Sequence, residues 1–399
     1  MGRALFLAAT LLASAAQAQP AVIELSQVCP PGFEQDADNA CHLRSLYQQY
    51  SSLEQRGVGG LKTALPPYRD GFTAQQIDLG RHLFFDPVLS GDQSLSCGSC
   101  HHPKLGFSDG RARSQGIHGE DAGRAAPSLW NMAFMGKLFW DARASTLEEQ
   151  VAGPLYSPKE MGSTPQQVLE RINASGEYRR LFAQAYPQLG GKDVGLEQIY
   201  AAIAAFESSL VSLNSRYDQY AHGYAEALNA KEIEGLNVFR SFVARCAECH
   251  TPPLFTNQQV AVIGVPEPEG RAFDPGAGAV FDNPTWRGGF KVPSLRNIAR
   301  TAPYMHSGTF ASLREASEFY TLGRGHALPA EEKDKLTLHW HIWEPKLTDE
   351  ELDRLVDFMQ TLTDETFTPA IPAHVPSGLA PLGREPEALR ATLAQQGEQ

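Results

Sequence analysis

Cys97-Gly98-Ser99-Cys100-His101 and Cys246-Ala247-Glu248-Cys249-His250 carry one pattern, C-x-x-C-H, twice in the chain. This is the attachment signature of c-type haem: two thiols form thioethers with the haem vinyl groups, and the adjacent His binds the iron. The spacing lets two cysteines reach two edges of one porphyrin while the imidazole reaches its centre. A zinc site would pair each C-x-x-C with further ligands at short range, whereas these copies lie far apart. A redox dithiol would sit in a βαβ context, which the flanking sequence does not offer. Two haems are therefore expected, one on Cys97, Cys100 and His101 and one on Cys246, Cys249 and His250.

Six cysteines in 399 residues are too few for a disulfide-built scaffold. The two outside the motifs, Cys29 and Cys41, are expected to bridge each other; two free thiols are the alternative, disfavoured in an oxidising compartment. The compartment is read from the opening residues. Arg3, the apolar run from Leu5 to Leu12 and the small-x-small site Ala16-Gln17-Ala18 form a signal peptide over 1–18, with an apolar run too short to cross a bilayer. This places the protein in the periplasm, the outer surface remaining open, and no later stretch is apolar enough to span a membrane. A 42% hydrophobic and 20% charged composition belongs to a core-forming chain. A net charge of −12 argues against nucleic acid as a partner and permits a basic docking protein.

Helical periodicity dominates. Thr73-x-x-Gln76 and Thr348-x-x-Glu351 read as capping boxes. Apolar residues recur at helical spacing over Ile199–Leu213, Ile233–Val243 and Leu352–Leu362. Strand signals are scarce, and Gly/Pro-rich loops fill 103–127 and 251–294. The pattern predicts an all-α protein of two cytochrome c-like haem domains with long loops, at 66–225 and 226–366. An N-terminal arm occupies 19–65 and a tail 367–399. Beyond the haem motifs no internal repeat is read.

Between and after the haem motifs come Phe139-Trp140-Asp141-x-Arg143, Gly153-Pro154-x-x-x-Pro158-x-Glu160-Met161, Pro293-x-Leu295-Arg296-Asn297 and Thr301-Ala302-Pro303-Tyr304-x-His306-x-Gly308. In this order the chain, from about Leu79 to about Phe358, resembles the bacterial dihaem cytochrome c peroxidases and their relative MauG. An MbnH-like subgroup that oxidises a copper-binding partner is similar too. The resemblance implies that the N-terminal haem reacts with hydrogen peroxide and the C-terminal haem stores or relays electrons. By the same resemblance Glu160 is the catalytic carboxylate, Gln150 a distal-pocket residue and Trp140 the link between the haems. A carboxylate above the haem can take a proton from one peroxide oxygen and return it to the other.

His118 stands where the classical peroxidases have a removable distal ligand, an arrangement that equally suits a surface loop. Glu318-Phe319-Tyr320 matches the MauG arrangement with Tyr320 as the sixth ligand of the second iron, where classical peroxidases use Met; axial ligand identity is a main lever on haem potential. After His250 the chain holds only Met305 and Met359. A calcium site between the domains is also implied, with the carbonyls of Thr301 and Pro303 as ligands. Ala125 stands where the family often has Asn, so one oxygen donor is missing, and calcium prefers six to eight. His339-Trp340-His341 could set two imidazoles on one strand face for copper or zinc, or pack as an aromatic insertion.

The expected function is a periplasmic dihaem c-type peroxidase fed by a small cytochrome c or copper protein. The alternatives are a MauG/MbnH-like enzyme that uses peroxide to oxidise Trp or Tyr of a partner protein, and a non-enzymatic dihaem electron carrier.

Overall fold

The computed structural model describes residues 22–48, 65–321, 328, 330–342, 345–387 and 389. The expected signal peptide, 1–18, lies outside them, as do parts of the arm and the tail.

Helix α1 (Ala74–Phe85) begins where the sequence places a cap. The Thr73 hydroxyl accepts from the Gln76 amide at 3.2 Å, and the Thr73 amide donates to the Gln76 side chain at 3.0 Å. The remaining helices of the N-terminal half are α2 (Cys97–Cys100), α3 (Leu147–Tyr156), α4 (Pro165–Ala174), α5 (Gly176–Ala185) and α6 (Leu196–Ser208). Those of the C-terminal half are α7 (Arg216–Ala221), α8 (Ala230–Phe239), α9 (Cys246–Cys249), α10 (Ala277–Val280), α11 (Leu313–Thr321), α12 (Ala330–Lys333) and α13 (Asp349–Gln360). Helix α13 starts on the Thr348/Glu351 capping box.

The all-α expectation holds only coarsely. Strands β1 (Phe33–Gln35), β2 (Ala40–Leu43) and β3 (Phe72–Thr73) form an antiparallel sheet, pinned by a Cys29–Cys41 disulfide. Strands β4 (Val260–Val262) and β5 (Gly289–Lys291) form a second. Strands of two to four residues are too short to show an alternating pattern.

A repeat that was not read from the sequence organises both halves. In the first, α1 crosses α6 so closely that a Cβ on Gly80 would meet the Ala202 carbonyl oxygen at 1.8 Å; in the second, α8 crosses α13 so closely that a Cβ on Gly235 would meet the Arg354 carbonyl oxygen at 1.9 Å. Four residues beyond each glycine a Phe packs edge-on or tilted against a Phe of the facing helix, Phe84 on Phe206 and Phe239 on Phe358, both at 5.1 Å. Pro127-Ser128-Leu129-Trp130-Asn131 recurs as Pro293-Ser294-Leu295-Arg296-Asn297. Asn131 and Asn297 both take positive φ and anchor the chain beyond the crossing helix, through Leu210 and Ser212 in one half and Leu362 and Asp364 in the other. Each half has its own apolar core, one around Leu83, Phe84, Phe182 and Phe206, the other around Tyr217, Phe239, Phe255 and Phe358.

The arm and the tail tie the halves together. Tyr47 donates to Asp218 inside a fully buried pair in which Arg296 holds both Asp218 oxygens at 2.6 and 2.7 Å. After α13 the chain returns to the N-terminal half: Ser377 donates to Asp86 at 2.6 Å, the Ser96 amide donates to the Leu382 carbonyl at 3.1 Å, and Arg384 donates to the Gly116 carbonyl at 3.1 Å. Among the described residues no helix is long and apolar enough to cross a membrane.

Candidate active site

Each haem motif forms one turn of helix at the wall of a cavity. Cys97, Cys100 and His101 line the first, of about 480 Å³; Cys246, Cys249 and His250 line the second, of about 250 Å³. All four thiols are unbridged. Burial pushes the Cys100 and Cys246 thiols up to about 12. His101 Nδ1 lies 2.9 Å from the Phe107 carbonyl, and His250 Nδ1 3.1 Å from the carbonyls of Phe255 and Pro293. A carbonyl partner fixes the proton on Nδ1 and leaves Nε2 as the lone-pair nitrogen for a metal. Phe107 and Phe255 both adopt positive φ, which turns each carbonyl back toward its His. Paired free thiols, an oriented imidazole and an adjoining cavity fit haem c in both places.

Glu160 and Gln150 line the first cavity together with Pro154. Gln150 lies on α3, whose interior Pro154 brings no N–H to the carbonyl four residues before it, that of Gln150 itself. Glu160 follows α3 in a tight turn, its amide donating to the Ser157 carbonyl at 3.0 Å. Burial raises the Glu160 pKa above the ordinary value, against the pull of Ser157 and Arg143. The loop carrying His118 packs on this turn: the Ile117 amide donates to the Glu160 carbonyl at 2.8 Å, and a Cβ on Gly116 would lie 2.0 Å from the Lys159 carbonyl oxygen. His118 itself is turned away. Its side chain is 71% exposed, 3.8 Å from Asp92, and it is not part of the cavity wall. Gly116 is the residue that reaches the wall, because the backbone beyond it turns through positive φ at His118. The structure does not bring His118 to the site.

Trp140 lines both cavities. Its indole N–H donates to the Ala125 carbonyl at 2.9 Å, and its own carbonyl accepts from the Lys291 amide at 2.7 Å. His306 holds the corresponding place in the second half. Its carbonyl accepts from the Ala125 amide at 2.8 Å, and its ring centroid lies 6.5 Å from that of Trp140. Tyr320, Met305 and Met359 all line the second cavity. Burial, reinforced by the nearby thiols, holds the Tyr320 phenol well above its usual pKa.

The calcium reading gains no ligand. Ala125 offers no side-chain oxygen, and its carbonyl already accepts from Trp140. Thr301 and Pro303 lie on the wall of the second cavity. The strand-borne His pair is not found either: 339–341 is a turn, His341 Nε2 lies 2.7 Å from a Glu248 oxygen, and among the described residues no group of three or more His, Cys, Asp or Glu could hold a metal ion.

Several residues of the walls were not singled out in the sequence. Arg124 bonds Asp141 at 2.6 Å and Asp274 at 2.7 and 2.9 Å, joining the halves beside the first cavity. Outside the two walls, Glu267 bonds His306 at 2.8 Å. Glu207 lines the first cavity with one carboxyl oxygen unpartnered, and burial pushes it up to about 8. Lys291 lines the second, its ammonium lowered by burial to about 8. Lone charged residues carry no spacing signal. The repeated Pro-Ser-Leu-x-Asn could have pointed to the loops before Trp140 and His306.

Comparison with known proteins agrees with this geometry. A sequence model described as di-haem cytochrome c peroxidase matches residues 74–226. The chain is 36% identical to a cytochrome c551 peroxidase of Nitrosomonas europaea over 307 residues, 76% of this chain and 84% of the relative. It is 33% identical to the methylamine utilization protein MauG of Methylorubrum extorquens over 307 residues, 77% and 83% of the two chains. Among solved structures, a MauG-like protein associated with microbial copper homeostasis superposes with a TM-score of 0.69 at 33% identity, over 77% of this chain and 95% of the other. The dihaem peroxidase BthA of Burkholderia thailandensis superposes with a TM-score of 0.65 at 27% identity, over 79% and 91%.

Proposed function

The chain belongs to the dihaem cytochrome c peroxidase and MauG family, and from that premise we propose that it reduces hydrogen peroxide at the first cavity with electrons drawn through the second. The family makes it a peroxidase-type oxidoreductase with two c-type haems, which sets aside the non-enzymatic carrier. One observation carries the directional reading: Trp140 lines both cavities, while Glu160 lines only the first.

Haem c, when bound, supplies the redox-active iron at which peroxide is reduced. The chain supplies the rest. Cys97 and Cys100 anchor the first haem and His101 orients it. The Glu160 carboxylate takes a proton from the near oxygen of peroxide and returns it to the departing hydroxyl, which leaves as water. Its raised pKa makes it a stronger base than an exposed carboxylate, which eases the first of these transfers. Gln150 is placed to hydrogen-bond the bound peroxide, and Trp140 gives electrons a side-chain route through the wall between the cavities. A periplasmic setting and a small cytochrome or copper protein as donor belong to the same reading.

Tyr320 supports a second reading, oxidation of Trp or Tyr on a partner protein by the stored oxidising equivalents. A phenolate ligand favours higher iron oxidation states, and axial ligands tune haem potential. His118, turned out to solvent, would leave the first iron accessible without prior reduction. The test is to add peroxide to the fully oxidised holoprotein and follow its absorbance. No reaction until one haem is reduced supports donor-fed peroxide removal. A long-lived oxidised state formed at once supports the partner-oxidising reading, and indifference to peroxide in every state overturns both.

A further inference from the structure

The geometry points to Trp340 as the surface relay through which electrons enter the second cavity, an inference that rests on the peroxidase reading. The segment 339–341 is held on both sides. The His339 amide donates to the Val262 carbonyl of β4 at 2.8 Å, and His341 Nε2 lies 2.7 Å from a carboxylate oxygen of Glu248, inside the second haem motif. His341 and Ile342 form part of the second cavity wall. Trp340 packs on His341, with ring centroids 3.4 Å apart, while His339 lies 6.1 Å from Trp340 and 5.3 Å from His341. Trp340 is nonetheless 67% exposed.

A large apolar ring held at the surface forfeits the gain of burial, so a core-packing role does not account for it. Among the described residues, Trp130 is buried, and Trp140 and Trp286 are half-buried. The exposed Tyr224 and Phe242 do not line the second cavity, and a phenylalanine ring is not readily oxidised. Trp340 is thus an oxidisable ring that touches solvent on one face and a cavity-lining residue on the other.

In each pass the Trp340 indole gives one electron toward the second cavity and its N–H proton to solvent. The partner then returns one electron, and solvent returns the proton. Two passes supply the two electrons that, with two protons, reduce one peroxide to two waters. With no partner present, Trp340 loses two electrons and adds one water, with one proton leaving from the ring and one from the water, to become hydroxytryptophan.

The holoprotein is treated with peroxide in the absence of any donor, and its peptides are mapped by mass spectrometry. One added oxygen at Trp340, above any at Trp286 or Tyr224 and lost in Glu160→Gln, is expected. In parallel, oxidation of a reduced monohaem cytochrome c is measured. Trp340→Phe should slow it about tenfold, a loss of about 1.4 kcal/mol in transition-state free energy, and Trp340→Tyr should restore part of the rate. An absorbance response to peroxide with Trp340 unmodified and an unchanged donor rate in Trp340→Phe overturns the relay alone. No absorbance response in any state overturns the peroxidase reading and the relay with it.

Discussion

Glu160 and Glu207 are two carboxyls on the wall of one cavity, and burial raises both. Only Glu160 has the neighbours of a proton carrier, Ser157 and Arg143 pulling its pKa back down. Glu160→Gln should lower the rate of peroxide reduction by about 10²–10⁴-fold, the usual worth of a positioned acid–base group, measured by stopped-flow absorbance. The wild-type rate should fall on acidification with a midpoint above the ordinary Glu value of 4.5, since the carboxylate is the form that accepts the peroxide proton. Glu207 makes a different prediction. The folded chain keeps a proton there up to about pH 8, while the unfolded chain releases it near 4.5. The folded state therefore binds more protons within that window, and stability falls as pH rises through it and levels off above. Glu207→Gln should escape this loss, gaining on the wild type by a few kcal/mol between about pH 4.5 and 8. Denaturant titrations at pH 5 and pH 8.5 check it; a difference that does not grow with pH would be evidence against a buried, protonated Glu207.

The helix crossings at Gly80 and Gly235 set how each half closes over its cavity. A methyl at Gly80 collides with backbone, which cannot yield as a side chain can, so Gly80→Ala should destabilise by about 1–3 kcal/mol. Gly176, first residue of α5 with open space around its Cβ, is the control, where Ala should be neutral or stabilising by less than about 1 kcal/mol. Thermal melts of both variants decide it; equal effects would show that the α1–α6 crossing has slack. The capping boxes of α1 and α13 were legible because side-chain spacing alone dictates them. The sheets were not, their strands being shorter than the period needed to recognise them. The stretch 367–399 reads as a tail because Pro and polar residues give no periodicity. In the structure Leu382, Arg384 and Ser377 bind one by one to loops of the N-terminal half.

At the scale of the molecule, two similar halves face each other across Trp140 and His306. Arg124 of the first half reaches Asp274 of the second while also holding Asp141. These side chains are mostly shielded from solvent, at 22% exposure or less. Breaking such a pair leaves a poorly solvated carboxylate, and Arg143 remains on Asp141 to offset part of the loss. Arg124→Met should therefore cost about 2 kcal/mol. Its signature would be a melting transition that separates into two steps as the halves uncouple, followed by calorimetry. A single transition at the wild-type temperature would show that the arm, the tail and the Trp140–Ala125–His306 contacts suffice.

The sequence alone determined the two haem-attachment motifs and the helical character, because covalent attachment and helix caps need particular residue types at fixed short spacings, whereas Glu160, Gln150 and Trp140 were candidates only through the family resemblance. It could not decide which of the candidate side chains share a cavity. Glu160, Gln150 and Trp140 come together, Tyr320 joins the second site, and His118 stays at the surface; these outcomes depend on backbone turns at Gly116 and His118 and on helix crossings between residues more than a hundred positions apart. The repeat was present in the letters as Pro-Ser-Leu-x-Asn. Its meaning rests on left-handed Asn residues and glycine crossings, where the constraint is the approach of two backbones, and only the tertiary structure brings those backbones together.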